Sequence, residues 1–95
     1  SLDQLLGAFA AGGGGQFSRV VYVEYPRKEM WTLAFVTGQL KTDKLSPGHL
    51  NLFVPTTPNP TSGFYLIAHE SQVKESGLKV EEAFKVLLSL GIAGK

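Results

Sequence analysis

Three prolines, Pro55, Pro58 and Pro60, fall within six residues and separate two apolar runs at 50–54 and 64–68. Each proline fixes its own φ and pushes the residue before it toward extended backbone, so Val54, Thr57 and Asn59 are restricted too. The segment between the runs is therefore a stiff turn joining two strands. It carries Thr56, Thr57, Asn59, Thr61, Ser62 and Gly63 and not one charge. Two readings stay open. In the architectural one, the hydroxyl and amide side chains satisfy backbone groups and fix strand register. In the other, Pro55, Thr56, Thr57, Pro58, Asn59, Pro60, Thr61, Ser62 and Gly63 form a recognition surface whose rigidity limits the entropy lost on docking. The triplet Asn59-Pro60-Thr61 is no glycosylation acceptor, because proline occupies its middle position.

The rest of the chain reads around this pair. Segments 17–25 and 31–37 are rich in valine, aromatic residues and threonine, which suits a first hairpin turning through Pro26, Arg27, Lys28, Glu29 and Met30. Apolar residues occupy both faces of these strands: Val21, Val23 and Tyr25 against Val20 and Tyr22, then Trp31, Leu33 and Phe35 against Ala34 and Val36. Polar residues 41–49, with Pro47-Gly48, form a surface connection. Val80, Ala83, Phe84, Leu87 and Leu88 recur at helical spacing, with Glu81 and Glu82 near the start and Gly91 past the end. Leu2, Leu5, Leu6, Phe9 and Ala10 recur likewise, which predicts a short amphipathic helix over 2–11, too short to stand alone. Gly12 to Gly15 then form a joint.

The expected fold class is α+β: about four mainly antiparallel strands in two hairpins, a C-terminal helix on one face, and the short N-terminal helix. One helix cannot cover two apolar faces. The second face calls for the N-terminal helix, curling of the sheet into a partly closed barrel, or a neighbouring protomer. Residues 1–15 are expected to be a membrane-proximal helix and linker, and 16–95 one soluble domain.

Composition excludes several function classes. At 95 residues there is room for one core and no second domain. Nine basic and eight acidic residues, scattered along the chain for a net charge of +1, give no one-sided stripe for nucleic acid. Cysteine is absent, which removes disulfides and thiolate metal sites. No apolar run is long enough to span a bilayer.

Candidate chemistry is sparse. His49 and His69 are the only histidines, and neither has the neighbouring ligands a metal needs. His49 follows a turn and is expected to be exposed; His69, beside Glu70, suits a local hydrogen bond better than a catalytic pair. Ser62-Gly63 lacks the strand-turn-helix setting and base partner of a nucleophile. Glu81 and Glu82 face different directions and complement the helix dipole. Neither a catalytic residue, a metal nor a cofactor is expected. Arg27 and Lys28 cap the first hairpin, either as a solvated turn or as contacts to an acidic partner or lipid headgroups, where each charge is worth about 1 kcal/mol.

Taken in order over 17–92, Val23-Glu24-Tyr25-Pro26-Arg27-Lys28, then Trp31-Thr32-Leu33-Ala34-Phe35-Val36-Thr37-Gly38, then the proline loop and the helix running into Ser89-Leu90-Gly91, resemble a known pattern. It is that of the soluble domain of an uncharacterised membrane-protein family that includes the plant continuous vascular ring proteins and bacterial relatives. The resemblance implies a transmembrane helical hairpin upstream and an unknown molecular activity. It also implies glycine where Glu29 stands, a proline-arginine-acidic run near His69-Glu70-Ser71, and a serine cap where Lys79 stands. These readings combine into an expected function: a non-enzymatic interaction or assembly module of a membrane protein, on the cytoplasmic face. Its partner would be a second copy or another membrane-associated protein, with Arg27, Lys28, Leu2, Leu5, Leu6 and Phe9 as candidate contacts. The alternative is a small-ligand or peptide-binding domain using the proline loop; a hydrolase comes after both.

Overall fold

The β-branched and aromatic runs form an antiparallel meander in the computed structural model, which describes residues 19–93. Strands β1 (Val20–Glu24), β2 (Trp31–Gln39), β3 (His49–Pro55) and β4 (Gly63–His69) pair in sequence order. A 3-10 turn (Glu70–Gln72) leads into β5 (Val73–Glu75), which returns to pair with β1, so the sheet has five strands in the order β4-β3-β2-β1-β5. Helix α1 (Val80–Leu88) follows. The expectation of about four strands is corrected by β5, whose three residues Val-Lys-Glu carry no periodic signal of their own. The expected N-terminal helix, with Leu2, Leu5, Leu6 and Phe9, lies outside the described residues.

Strands β4 and β5 form opposite edges of the sheet, yet three residues connect them. In a flat sheet those edges would stand about 19 Å apart, whereas the connection spans at most about 14 Å. The sheet must curl. Because β1 and β3 run the same way, so do their antiparallel partners β5 and β4. One extended run thus pairs first with β3 and, past the 3-10 turn, with β1. The sheet is not closed: among the described residues no ladder joins β4 to β1 or β5.

This curling answers how two apolar faces are hidden. The inner face packs on itself through Val21, Val23, Ala34, Val36, Leu50, Leu52, Val54 and Ala68, all buried. Outside, Val20, Leu33 and Phe35 are covered by Ala83, Phe84 and Leu87 of α1, with the Phe35 and Phe84 rings stacked 5.0 Å apart. A further clasp joins the start of β1 to the closing run: Arg19 bridges Glu70, at 2.8 Å, and Glu75.

Two positions expected from the resemblance show their physics here. Glu29 stands at φ +70, in the left-handed region that favours glycine, and its N–H donates to the Glu24 carboxylate at 2.8 Å. Lys79 caps α1 with its backbone only: its N–H donates to Glu82 at 2.8 Å, while its ammonium has no lone pair to return to the helix.

Candidate functional site

The two loops singled out in the sequence lie at one end of the sheet, because β1 and β3 both run toward it. Tyr25, just past β1, and Phe64, at the start of β4, meet there with ring centroids 5.9 Å apart.

The proline loop is bonded mainly to itself. Pro55 ends β3 opposite Gly63, where a side chain would collide with the Val54 carbonyl at 2.1 Å, so glycine is obligatory. The Thr56 N–H donates to the Ser62 carbonyl at 2.8 Å, and the Thr56 hydroxyl lies 2.8 Å from that of Ser62 and within reach of the Asn59 carbonyl. Asn59 Oδ1 accepts from the Thr61 N–H at 3.1 Å and from its hydroxyl. Pro60 is buried, whereas Thr57, Pro58, Asn59, Thr61 and Ser62 are exposed. Thr57 differs from the rest of the loop. It borders an open cleft of about 580 Å³ between the sheet and α1, together with Tyr22, Trp31, Leu33, Leu78 and Leu90.

Arg27 and Lys28 are exposed on the first hairpin turn, pinned by the Tyr25 N–H to Met30 carbonyl bond at 2.8 Å. They overhang a second cleft, of about 280 Å³, in the open seam between β1 and β4, lined by Val23, Glu24, Leu66, Ile67, Ala68 and Gln72. The structure therefore gathers the proline loop and the cationic turn at one end, on two different clefts.

Between them lie residues that the sequence reading placed in the first turn, Met30, or at the start of strands, Trp31, Phe64 and Tyr65, without a role in a site. Met30 is 47% exposed, Trp31 46%, Phe64 53% and Tyr65 66%. Their signal was position: each stands within two residues of a turn, where the ladder begins and cover is incomplete. Lys74 Nζ sits 5.1 Å above the Trp31 ring, a cation–π contact from β5. The Tyr65 hydroxyl donates to Asn51 at 2.6 Å.

The titratable groups with clear shifts lie at the opposite end of the sheet. Arg19 is raised above its ordinary value by its hydrogen bonds to Glu70 and Glu75, and the Arg19 bond holds Glu70 below the usual carboxylate range. His49 and His69 stand opposite one another in the β3–β4 ladder with rings 5.0 Å apart. His49 is half-buried, its Nδ1 2.7 Å from the Ser46 carbonyl. His69 bonds Ser71 and the Pro47 carbonyl, and no hydrogen bond to Glu70 is among its contacts. Among the described residues no group of three or more histidines and acidic residues could hold a metal ion, and no helix is long and apolar enough to cross a membrane.

Neither a curated protein nor a solved structure matches the chain. A family model, described as protein of unknown function (DUF502), matches residues 1–62, from the N-terminal segment through β1, β2 and β3 to the last serine of the proline loop. The chain belongs to the DUF502 family, whose function is unknown.

Proposed function

We propose that this chain is the soluble domain of a membrane protein akin to the plant continuous vascular ring proteins and their bacterial relatives, and that it acts as a non-enzymatic interaction module. One observation carries the reading. Two stiff loops converge on one end of the sheet and leave Met30, Trp31 and Phe64 half exposed beside Arg27. Aromatic residues, methionine and arginine are the types that dominate protein interfaces. The partner is another copy of the parent protein or a second membrane-associated protein. Membrane attachment would come through sequence upstream of Ser1, and two apolar spans there would support it.

The test is association of the parent protein in its membrane, read by crosslinking, with Trp31→Ala, Phe64→Ala and Arg27→Gln. Loss of the crosslinked species without loss of folding supports the module. Undiminished crosslinking in all three variants sinks it.

The 580 Å³ cleft favours a second reading, a small apolar ligand held between α1 and Trp31 with Thr57 as its hydrogen-bonding group. Trp31 is the single tryptophan of the chain, so its emission reports on that cleft. A saturable shift with small apolar compounds would favour the ligand reading.

A further inference from the structure

The junction between β4 and β5 is held by one imidazole, and both of its nitrogens are engaged. His69 Nδ1 lies 3.1 Å from the Ser71 backbone nitrogen and 2.9 Å from the Ser71 hydroxyl, while Nε2 lies 3.0 Å from the Pro47 carbonyl oxygen. A backbone amide only donates and a carbonyl only accepts. Nδ1 must therefore present a lone pair, and Nε2 must carry the proton.

Other contacts weld this ring to both sides of the junction. The His69 N–H donates to the Gln72 side chain at 2.9 Å, and the Glu70 N–H donates to the Gly48 carbonyl at 2.8 Å. Gly48, at φ +98, lets the 47–48 turn close on the ring; a Cβ there would stand 2.9 Å from Nε2. The ionisable groups facing the ring are His49 from β3, with its centroid 5.0 Å away, and Glu70 at its side. Behind Glu70 stands Arg19 from the start of β1, which also holds Glu75 of β5.

We propose that His69 is an acid-sensitive latch: the neutral, Nε2-protonated imidazole holds the run 70–75 in place, and protonation at Nδ1 releases β5 from β1. The added proton occupies the lone pair that the Ser71 amide uses, leaving that amide without its acceptor. The resulting cation also faces the His49 ring, with its centroid 5.0 Å away. Strand β5 is suited to release. It has three residues, of which Lys74 and Glu75 are exposed, and short, poorly buried elements open first. Its departure would uncover the edge of β1 at Val21 to Val23, a valine- and tyrosine-rich run that pairs readily with another strand. The latch rests on the fold alone, so its failure and that of the proposed interaction module are separate outcomes.

The test uses the whole chain labelled with nitrogen-15. Long-range imidazole spectra near neutral pH should show His69 as the Nε2–H tautomer. Amide exchange, corrected for intrinsic rates, should then be compared at about pH 7.5 and about pH 5, on either side of the ordinary imidazole value of about 6.5. Residues 70–75 should lose protection about tenfold at the lower pH, while β2 and β3 hold theirs. In His69→Gln, whose amide offers an acceptor and a donor but stays neutral, the loss should vanish. In Glu70→Gln it should remain, because the carboxylate held by Arg19 titrates at lower pH. An Nδ1–H tautomer, equal protection at both pH values, or a loss that persists in His69→Gln would overturn the latch. Should His69→Gln fail to fold, the tautomer and the site-resolved exchange of the unaltered chain decide the question by themselves.

Discussion

Tyr25 and Phe64 meet across the open seam of the sheet, their ring centroids 5.9 Å apart and their planes tilted by 37°, joining the far end of β1 to the start of β4 where no hydrogen-bonded ladder does. Aromatic pairs of this kind contribute about 0.5 to 1.5 kcal/mol beyond the area they bury. A double-mutant cycle with Tyr25→Leu and Phe64→Leu should return a coupling of that size in denaturant melts. A coupling near zero would mean that the seam is held elsewhere.

The outer core depends on Phe35, fully buried and stacked between Phe53, with centroids 6.3 Å apart, and Phe84. Phe35→Ala should cost about 3 to 5 kcal/mol, enough to unfold much of the population of a domain this small. Chemical denaturation followed by circular dichroism gives the number directly.

Two substitutions toward the residues implied by the family resemblance should stabilise. Glu29→Gly relieves a left-handed backbone and should gain on the order of 0.5 to 1 kcal/mol. Lys79→Ser would supply the acceptor missing from the start of α1, completing a capping box with Glu82 for about 1 kcal/mol. The sites are far apart in the chain, so the double variant's melting shift should be close to additive.

Within the proline loop, two exposed polar residues, Thr57 and Asn59, should behave differently. Asn59→Ala removes the acceptor that Thr61 uses twice and should lower stability by about 1 kcal/mol. Thr57→Ala, at the cleft rim, should leave the melt unchanged and alter only binding. Equal destabilisation by both would make the loop purely architectural.

Acid sensitivity has a definite sign at Glu70. Its folded-state value lies below its ordinary one because of the Arg19 bond, so the pair stabilises above the ordinary carboxylate range and loses that contribution as pH falls through the lowered value. The melting difference between the parent chain and Glu70→Gln should therefore be largest near neutral pH and shrink in acid. It should also shrink in salt, since the carboxylate is half exposed.

Much of the fold was legible in the sequence because hairpins and an amphipathic helix announce themselves locally. The valine, aromatic and threonine content of β1 and β2, the proline loop between β3 and β4, and the spacing of Ala83, Phe84 and Leu87 each point to one element. Strand β5 was not legible, since Val73–Glu75 becomes a strand only when curling carries it onto β1. The choice among three ways of hiding the inner face was equally beyond local pattern. It depends on a three-residue connection forcing opposite edges together. The candidate loops were each visible, but their meeting at one end was not, because β2 stands between the strands that bring them there.

The single run that serves both edges also sets where this fold tolerates change. The exposed stretch 41–45 joins neighbouring strands over the surface, and added residues there would cost little beyond loop entropy. Added length at 70–72 would slacken the short connection that draws the sheet around. It would let β5 leave β1 and bare that strand's edge beside the already unpaired edge of β4, offering two templates for polymerisation.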